Sequence, residues 1–178
     1  MPFELDELIS AAQNPLPRHR AGCGQVPSVN SRIRQANKPR QGLAGKVAME
    51  ELPEKYLLGI YLFNEEEFFE CHDVLEELWA DTMGESRLFI QGLIQAAVAM
   101  FHFGNENLGG ARKMYHSAVE KLQQYPSPYM GIDLLRFLVD FEHCFQELLD
   151  AGTTYPQGVE LRDDRVPIIR LAEDDDQA

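Results

Sequence analysis

Between Arg87 and Phe103 the chain carries Leu88, Phe89, Ile90, Leu93, Ile94, Ala96, Ala97, Val98, Ala99, Met100 and Phe101 with few interruptions. Its longest unbroken apolar run, Ala96 to Phe101, is far too short to span a bilayer. The segment therefore reads as a helix buried on nearly all sides, the centre around which amphipathic helices must pack. Gln91, Gln95 and His102 fall within about 40° of one another on its helical wheel, with Arg87 one turn earlier. Buried amides and imidazoles without partners are costly, on the order of 1 to 3 kcal/mol each, so this polar line has to face something polar.

The preceding segment supplies a candidate. Asn64 is a good N-cap, Glu67 falls three residues later to close a capping box, and Phe63 and Phe68 occupy the positions of a hydrophobic staple. From there Phe68, Cys71, Val74, Leu75, Leu78 and Trp79 form one apolar stripe, while Glu66, Glu70, Asp73 and Glu77 make a solvated face. His72 and Glu76, one turn apart, lie on the edge of the stripe, and Glu65 extends that edge. The helix should end around Asp81 to Gly84, with Thr82 or Ser86 capping the next. Helices joined by a short turn pack antiparallel, which brings the His72/Glu76/Glu65 edge to the Gln91/Gln95/His102 line.

The remaining elements are also helical. Pro53 opens a helix through Tyr56, Leu57, Ile60 and Tyr61. Gly104-Asn105-Glu106-Asn107 is a turn, followed by an amphipathic helix through Ala111, Met114, Tyr115, Ala118, Val119 and Leu122 that ends at Tyr125-Pro126. Ser127-Pro128 offers an N-cap and first-turn proline for a last helix to about Ala151, stopped by Gly152, with His143 on its solvated strip. The fold expected is all-α: a single compact bundle of four to five helices over 47–152, with irregular N- and C-terminal extensions. The first, 1–46, joins a short helix at Phe3–Ala12 to a basic Gly/Pro-rich arm. The last, 153–178, is an irregular tail with an acidic end.

Charge narrows the function. The chain has a formal charge of −13, but residues 1–46 hold seven Lys/Arg against three acids and 47–178 hold nine against twenty-six. An acidic body argues against general affinity for nucleic acid or anionic membrane, and the basic arm is expected to lie on the acidic body of its own or a neighbouring chain, as in a homo-oligomer. Three cysteines without CxxC spacing fit a reducing, cytoplasmic setting better than a disulfide framework. The acidic N-terminus is neither a secretory signal nor a basic transit peptide.

Three kinds of chemistry suit the polar residues. His72 and Glu76 at i and i+4, with His102 from the facing helix, provide two nitrogens and a carboxylate for a divalent metal ion, which would permit a metal-assisted hydrolase. Alternatively, Glu76 or Glu65 orients His72 for acid–base work. In the third reading His72, Glu76, Gln91, Gln95 and His102 bond to one another, with the Trp79 N–H joining them. The domain is then a scaffold that acts through a protein partner. An inter-helix pocket lined by His72, Glu76, Gln91, Gln95, His102, Trp79 and Glu70, and taking a small polar ligand or metal ion, is the reading carried forward.

The order Phe68-Phe69-Glu70-x-His72-xxx-Glu76-xx-Trp79, then Phe89-x-Gln91-Gly92-Leu93-Ile94-Gln95-x-Ala97, then His102, Gly104-Asn105 and Gly110-Ala111, resembles the prokaryotic and plastid family catalogued as domain of unknown function 309. The likeness covers roughly Tyr56 to Leu122. It implies a small all-α bundle in which Glu70, His72, Glu76, Trp79, Gln91, Gln95 and His102 match the family pattern, and it implies no reaction. The stretch from Ala97 to Pro126 is also similar to one tetratricopeptide hairpin, without a second unit at that period.

Overall fold

The structure, a computed structural model, describes residues 52–155 and 157–171. The helix expected at Phe3–Ala12 and the basic arm lie outside them. Among the described residues the elements are α1 (Glu54–Asn64), α2 (Phe68–Asp81), α3 (Glu85–Gly104), α4 (Leu108–Leu122) and α5 (Leu134–Asp150), followed by a single 3-10 turn at Asp163–Arg165. Consecutive helices pack on one another, and α3 lies between α2 and α4. The all-α bundle is the architecture found. No helix among the described residues is long and apolar enough to cross a membrane.

The core forms where aromatic side chains of α5 meet the other helices. Phe137, Phe141 and Phe145 follow one another along α5 at helical spacing. Phe137 meets Phe63 of α1 edge to face at 5.7 Å, while Tyr115 of α4 stacks on Phe145 at 4.9 Å. Phe103 of α3 lies 4.9 Å from the same Phe145. Rings at such separations add to the burial of their large apolar surfaces. Glycines set the distance between helices: a Cβ on Gly59 of α1 would stand 2.5 Å from Leu75 Cδ2 of α2, and one on Gly92 of α3 would stand 2.8 Å from Leu122 Cδ2 of α4.

Two helix starts differ from expectation. Asn64 caps nothing, because α1 runs through it and α2 begins only at Phe68, after a turn in which Glu66 takes a φ of 63°. The Asn64 side chain is instead engaged with the end of the chain: Nδ2 donates to Ile169 O at 2.9 Å and the Ile169 N–H donates to Oδ1 at 2.8 Å. Phe63 and Phe68 do meet, 5.3 Å apart, across the α1–α2 corner. Glu65, expected on the α2 edge, belongs to that corner and is exposed. Likewise Ser127-Pro128 does not open α5. Asp133 caps it through the Arg136 N–H, and Ser127 Oγ donates to Asp133 and accepts from the Leu135 N–H. Neither Thr82 nor Ser86 caps α3, whose N-cap is Gly84 at φ 75°. Thr82 Oγ1 donates back to Leu78 O at 2.7 Å. The turn before α4 and the stop at Gly152 stand as expected, and Asn107 in that turn is the N-cap of α4.

The irregular segment after α5 returns to the bundle. Ile169 is buried, Ile132 bridges to Leu171, and the Asp133 N–H donates to Arg170 O. Arg165 reaches Glu147 at 3.1 Å and Arg170 reaches Asp140 at 3.2 Å, so the strap is pinned on the outer face of α5.

Candidate functional site

The α2–α3 pair is an antiparallel hairpin turning at Thr82–Gly84. Counting from Met83, His72 stands eleven residues before and Gln95 twelve after, while Glu76 stands seven before and Gln91 eight after. At 1.5 Å rise per residue each pair lies at nearly one level along the helices. This register places the two polar lines side by side, and α3 is not buried all round. Leu88 and Phe101 are exposed and Gln91, Gln95 and Val98 half-buried, so a strip of α3 forms one wall of a seam with α2.

His72 forms the floor. Its side chain is only 3% exposed, between buried Cys71 and exposed Asp73 in sequence. Nδ1 lies 3.0 Å from Asp73 Oδ1 and Nε2 lies 3.5 Å from Glu76 Oε1. The longer separation is an ion-pair distance without a formed hydrogen bond, and Nε2 has no hydrogen-bond partner among the described residues. Gln95 Oε1, on the facing helix, is likewise buried and unpartnered. Above the floor, the exposed rings of Phe69 and Phe101 meet at 5.8 Å, and Phe69 lies 6.0 Å from the His72 ring.

Trp79 lies two turns farther along α2. Its Nε1 is buried without a partner among the described residues, and the Arg87 guanidinium covers its ring at 3.7 Å from the centroid. Arg87 Nη1 also donates to Trp79 O at 2.6 Å and to Thr82 O at 2.8 Å, joining the Thr82 N–H on the first of these carbonyls at the end of α2. This cation is thus built into the hairpin turn.

His102 takes a different place. Asn107 Nδ2 lies 3.3 Å from its Nδ1 and Asn107 Oδ1 accepts the Gly110 N–H, so the imidazole is fixed at the α3–α4 corner. A Cβ at Gly110 would stand 2.9 Å from His102 Cδ2, which is why the corner takes a glycine. Burial pushes the His102 pKa below its ordinary value. Glu70 is exposed on the outer side of α2. Among the described residues no three or more His, Cys, Asp or Glu side chains are grouped to hold a metal ion. Cys71 adjoins His72 in sequence but is buried in the core, where desolvation pushes its thiol up to about 12 and makes a thiolate nucleophile unavailable near neutral pH.

The sequence reading missed Asp73, assigned to the solvated face, and the Phe69/Phe101 pair. Neighbouring helix positions diverge by about 100°, which hid the 3.0 Å approach of Asp73 to His72. Phe69 faces solvent on a helical wheel, and its partner becomes visible only with the hairpin register. A separate cleft of about 350 Å³ lies between the start of α4 and the loop after α5, lined by residues such as Leu108, Tyr155 and Glu160. It contains none of the seam residues.

Among known proteins, the chain is similar to the Bacillus subtilis (strain 168) protein named "Uncharacterized protein YpuF", with 33% identity over 85 residues. The similarity covers 46% of this chain and 49% of that protein, so it spans about half the length of the relative. Residues 56–114, which run from α1 into α4 and include His72, Glu76, Gln91, Gln95 and His102, match the family model described as "Domain of unknown function (DUF309)".

Proposed function

We propose that the α2–α3 seam is a binding site for a small polar ligand, with His72, Glu76 and Gln95 as its central contacts and Gln91 and Trp79 extending it toward the hairpin turn. The observation that carries this reading is the pair of buried, unpartnered polar atoms, His72 Nε2 and Gln95 Oε1, at one level of facing helices. A buried imidazole nitrogen and a buried amide oxygen each lose water's hydrogen bonds on folding, about 1 to 3 kcal/mol apiece, unless something replaces them. A scaffold selected for stability alone would be better served by apolar residues of like volume at both positions, because replacing both partners is nearly neutral or stabilising. Trp79 stands seven residues from His72, about 10 Å by helical rise, so the seam is long enough for a ligand of several heavy atoms.

The test compares thermal melting of the full chain with that of His72→Leu and Gln95→Leu in the presence of a panel of small polar metabolites. The expected result is that both variants melt at or above the parent temperature without solute, and that at least one solute stabilises the parent and neither variant. Loss of stability in both variants, together with no solute effect on the parent, overturns the proposal and leaves the seam a structural network.

The scaffold reading has its own observation at the α3–α4 corner. His102 is partnered by Asn107 and packed on Gly110, which is the work of a structural residue. For this reason His102 is not placed among the ligand contacts.

A further inference from the structure

We infer that the ligand of this seam is an organic cation carrying an ammonium group. The inference rests on the ligand-binding reading above and deepens it to a chemical class. Asp73 Oδ1, at 3.0 Å, is the carboxylate nearer to His72 and favours the proton on Nδ1. Nε2 of the neutral ring is then an acceptor. Glu76 Oε1 lies 3.5 Å from it and accepts only, and Gln95 Oε1, buried without a partner at the same level of the opposite helix, also accepts only. Two acceptors 3.5 Å apart repel unless a donor lies between them, and a third at the same level adds to the demand. An alkylammonium has three donors and no acceptor, so one such group satisfies all three atoms.

The charge and walls of the seam point the same way. Asp73 and Glu76 both lie against the imidazole, and Glu70 stands exposed on the same helix. The nearby cation, Arg87, has Nη1 held by two backbone carbonyls and its guanidinium stacked on the Trp79 ring, two turns of α2 away from His72. Above His72, the Phe69 and Phe101 rings are 44% and 36% exposed; their faces attract a cation, and their apolar surface suits an alkyl chain. An anionic ligand would meet the Asp73 and Glu76 carboxylates at the same point.

Nuclear magnetic resonance of the full, isotopically labelled chain tests the assignment. Butylammonium is compared with 1-butanol and with butyrate, at fixed pH and ionic strength, while the His72 ring nitrogens are followed and exposed His143 serves as an internal reference. Butylammonium should move the His72 Nε2 resonance saturably and leave His143 in place, and butanol and butyrate should do neither. Glu76→Gln, at a half-exposed position that does not support the core, should weaken the amine by about tenfold by removing the charge-assisted contact. If butanol or butyrate moves His72 as strongly as the amine, the cation class is wrong while the polar-ligand reading survives. If none of the three moves it, or if Glu76→Gln binds the amine unchanged, the inference is overturned; the metabolite panel then decides the broader reading separately.

Discussion

The two buried histidines differ in what surrounds them, and their behaviour should differ accordingly. His102 accepts from Asn107 through Nδ1, which leaves its proton on Nε2 and suits a neutral ring. Burial lowers its folded-state pKa below the unfolded value, so folding favours the neutral form. The stability this preference contributes is fully present above the unfolded histidine pKa of about 6.5 and is lost as pH falls from there through the lower folded value. Urea unfolding at a series of pH values should therefore show the parent losing stability on acidification through this window. His102→Gln should show a flatter profile there, and equal slopes in the two proteins would refute the assignment. His72, between Asp73 and Glu76, has carboxylates at both ring nitrogens and no amide donor such as Asn107 gives His102. That contrast is why one imidazole is read as structural and the other as a contact for a ligand.

At the level of elements, the helices approach through glycines. A helix-interior glycine is ordinarily a liability of about 0.5 to 1 kcal/mol relative to alanine, so Gly→Ala at an open position stabilises. At Gly59 and Gly92 the new methyl would meet buried leucines at 2.5 and 2.8 Å, and overpacking of this kind costs about 1 to 3 kcal/mol. The clash is the larger effect, so Gly59→Ala and Gly92→Ala should each lower stability in chemical denaturation. Adding Leu75→Ala to Gly59→Ala should lose less than the sum of the single changes, since the cavity and the methyl compensate; strict additivity would show that Leu75 is not what the methyl meets. Most helices were legible because the apolar spacing of α2, α4 and α5 repeats at 3.6 residues and because breakers such as Gly104-Asn105 punctuate it. Helix starts were less so. Asn64 has every local qualification for an N-cap, but Ile169, more than a hundred residues away, claims both ends of its amide. Ser127 has the same history on a shorter range, since it supports the Asp133 cap and does not cap α5 itself. In the seam, the matching levels of His72 and Gln95 on consecutive helices followed from hairpin register, which sequence supplies, whereas Arg87 lying over Trp79 depends on rotamers, which it does not.

Over the whole molecule the charge is unevenly placed. Glu66, Glu67, Glu70, Asp73 and Glu77 lie exposed on or beside α2, and Lys55 pairs with Glu77 at 2.8 Å. That pair sets the start of α1 beside the later turns of α2. Residues 16–46 hold seven Lys/Arg and no acid, and five residues separate them from Leu52. Five extended residues reach about 17 Å, against an α2 length of about 21 Å, so this basic stretch can meet the acidic face without strain. We expect it to dock there through many weak exposed pairs, each worth little alone and all screened together. The Debye length is about 10 Å at 0.1 M salt and about 3 Å at 1 M, so the contact should be strongly salt-dependent. Limited trypsin digestion should consequently cut residues 16–46 slowly at low ionic strength and rapidly at high, with an unrelated basic peptide in the same tube correcting for salt effects on the protease. Reversing Glu66, Glu70 and Asp73 to lysine should abolish the low-salt protection while leaving the helical circular dichroism unchanged. Cleavage that ignores salt, or protection that survives the triple reversal, would mean that the arm does not use this face.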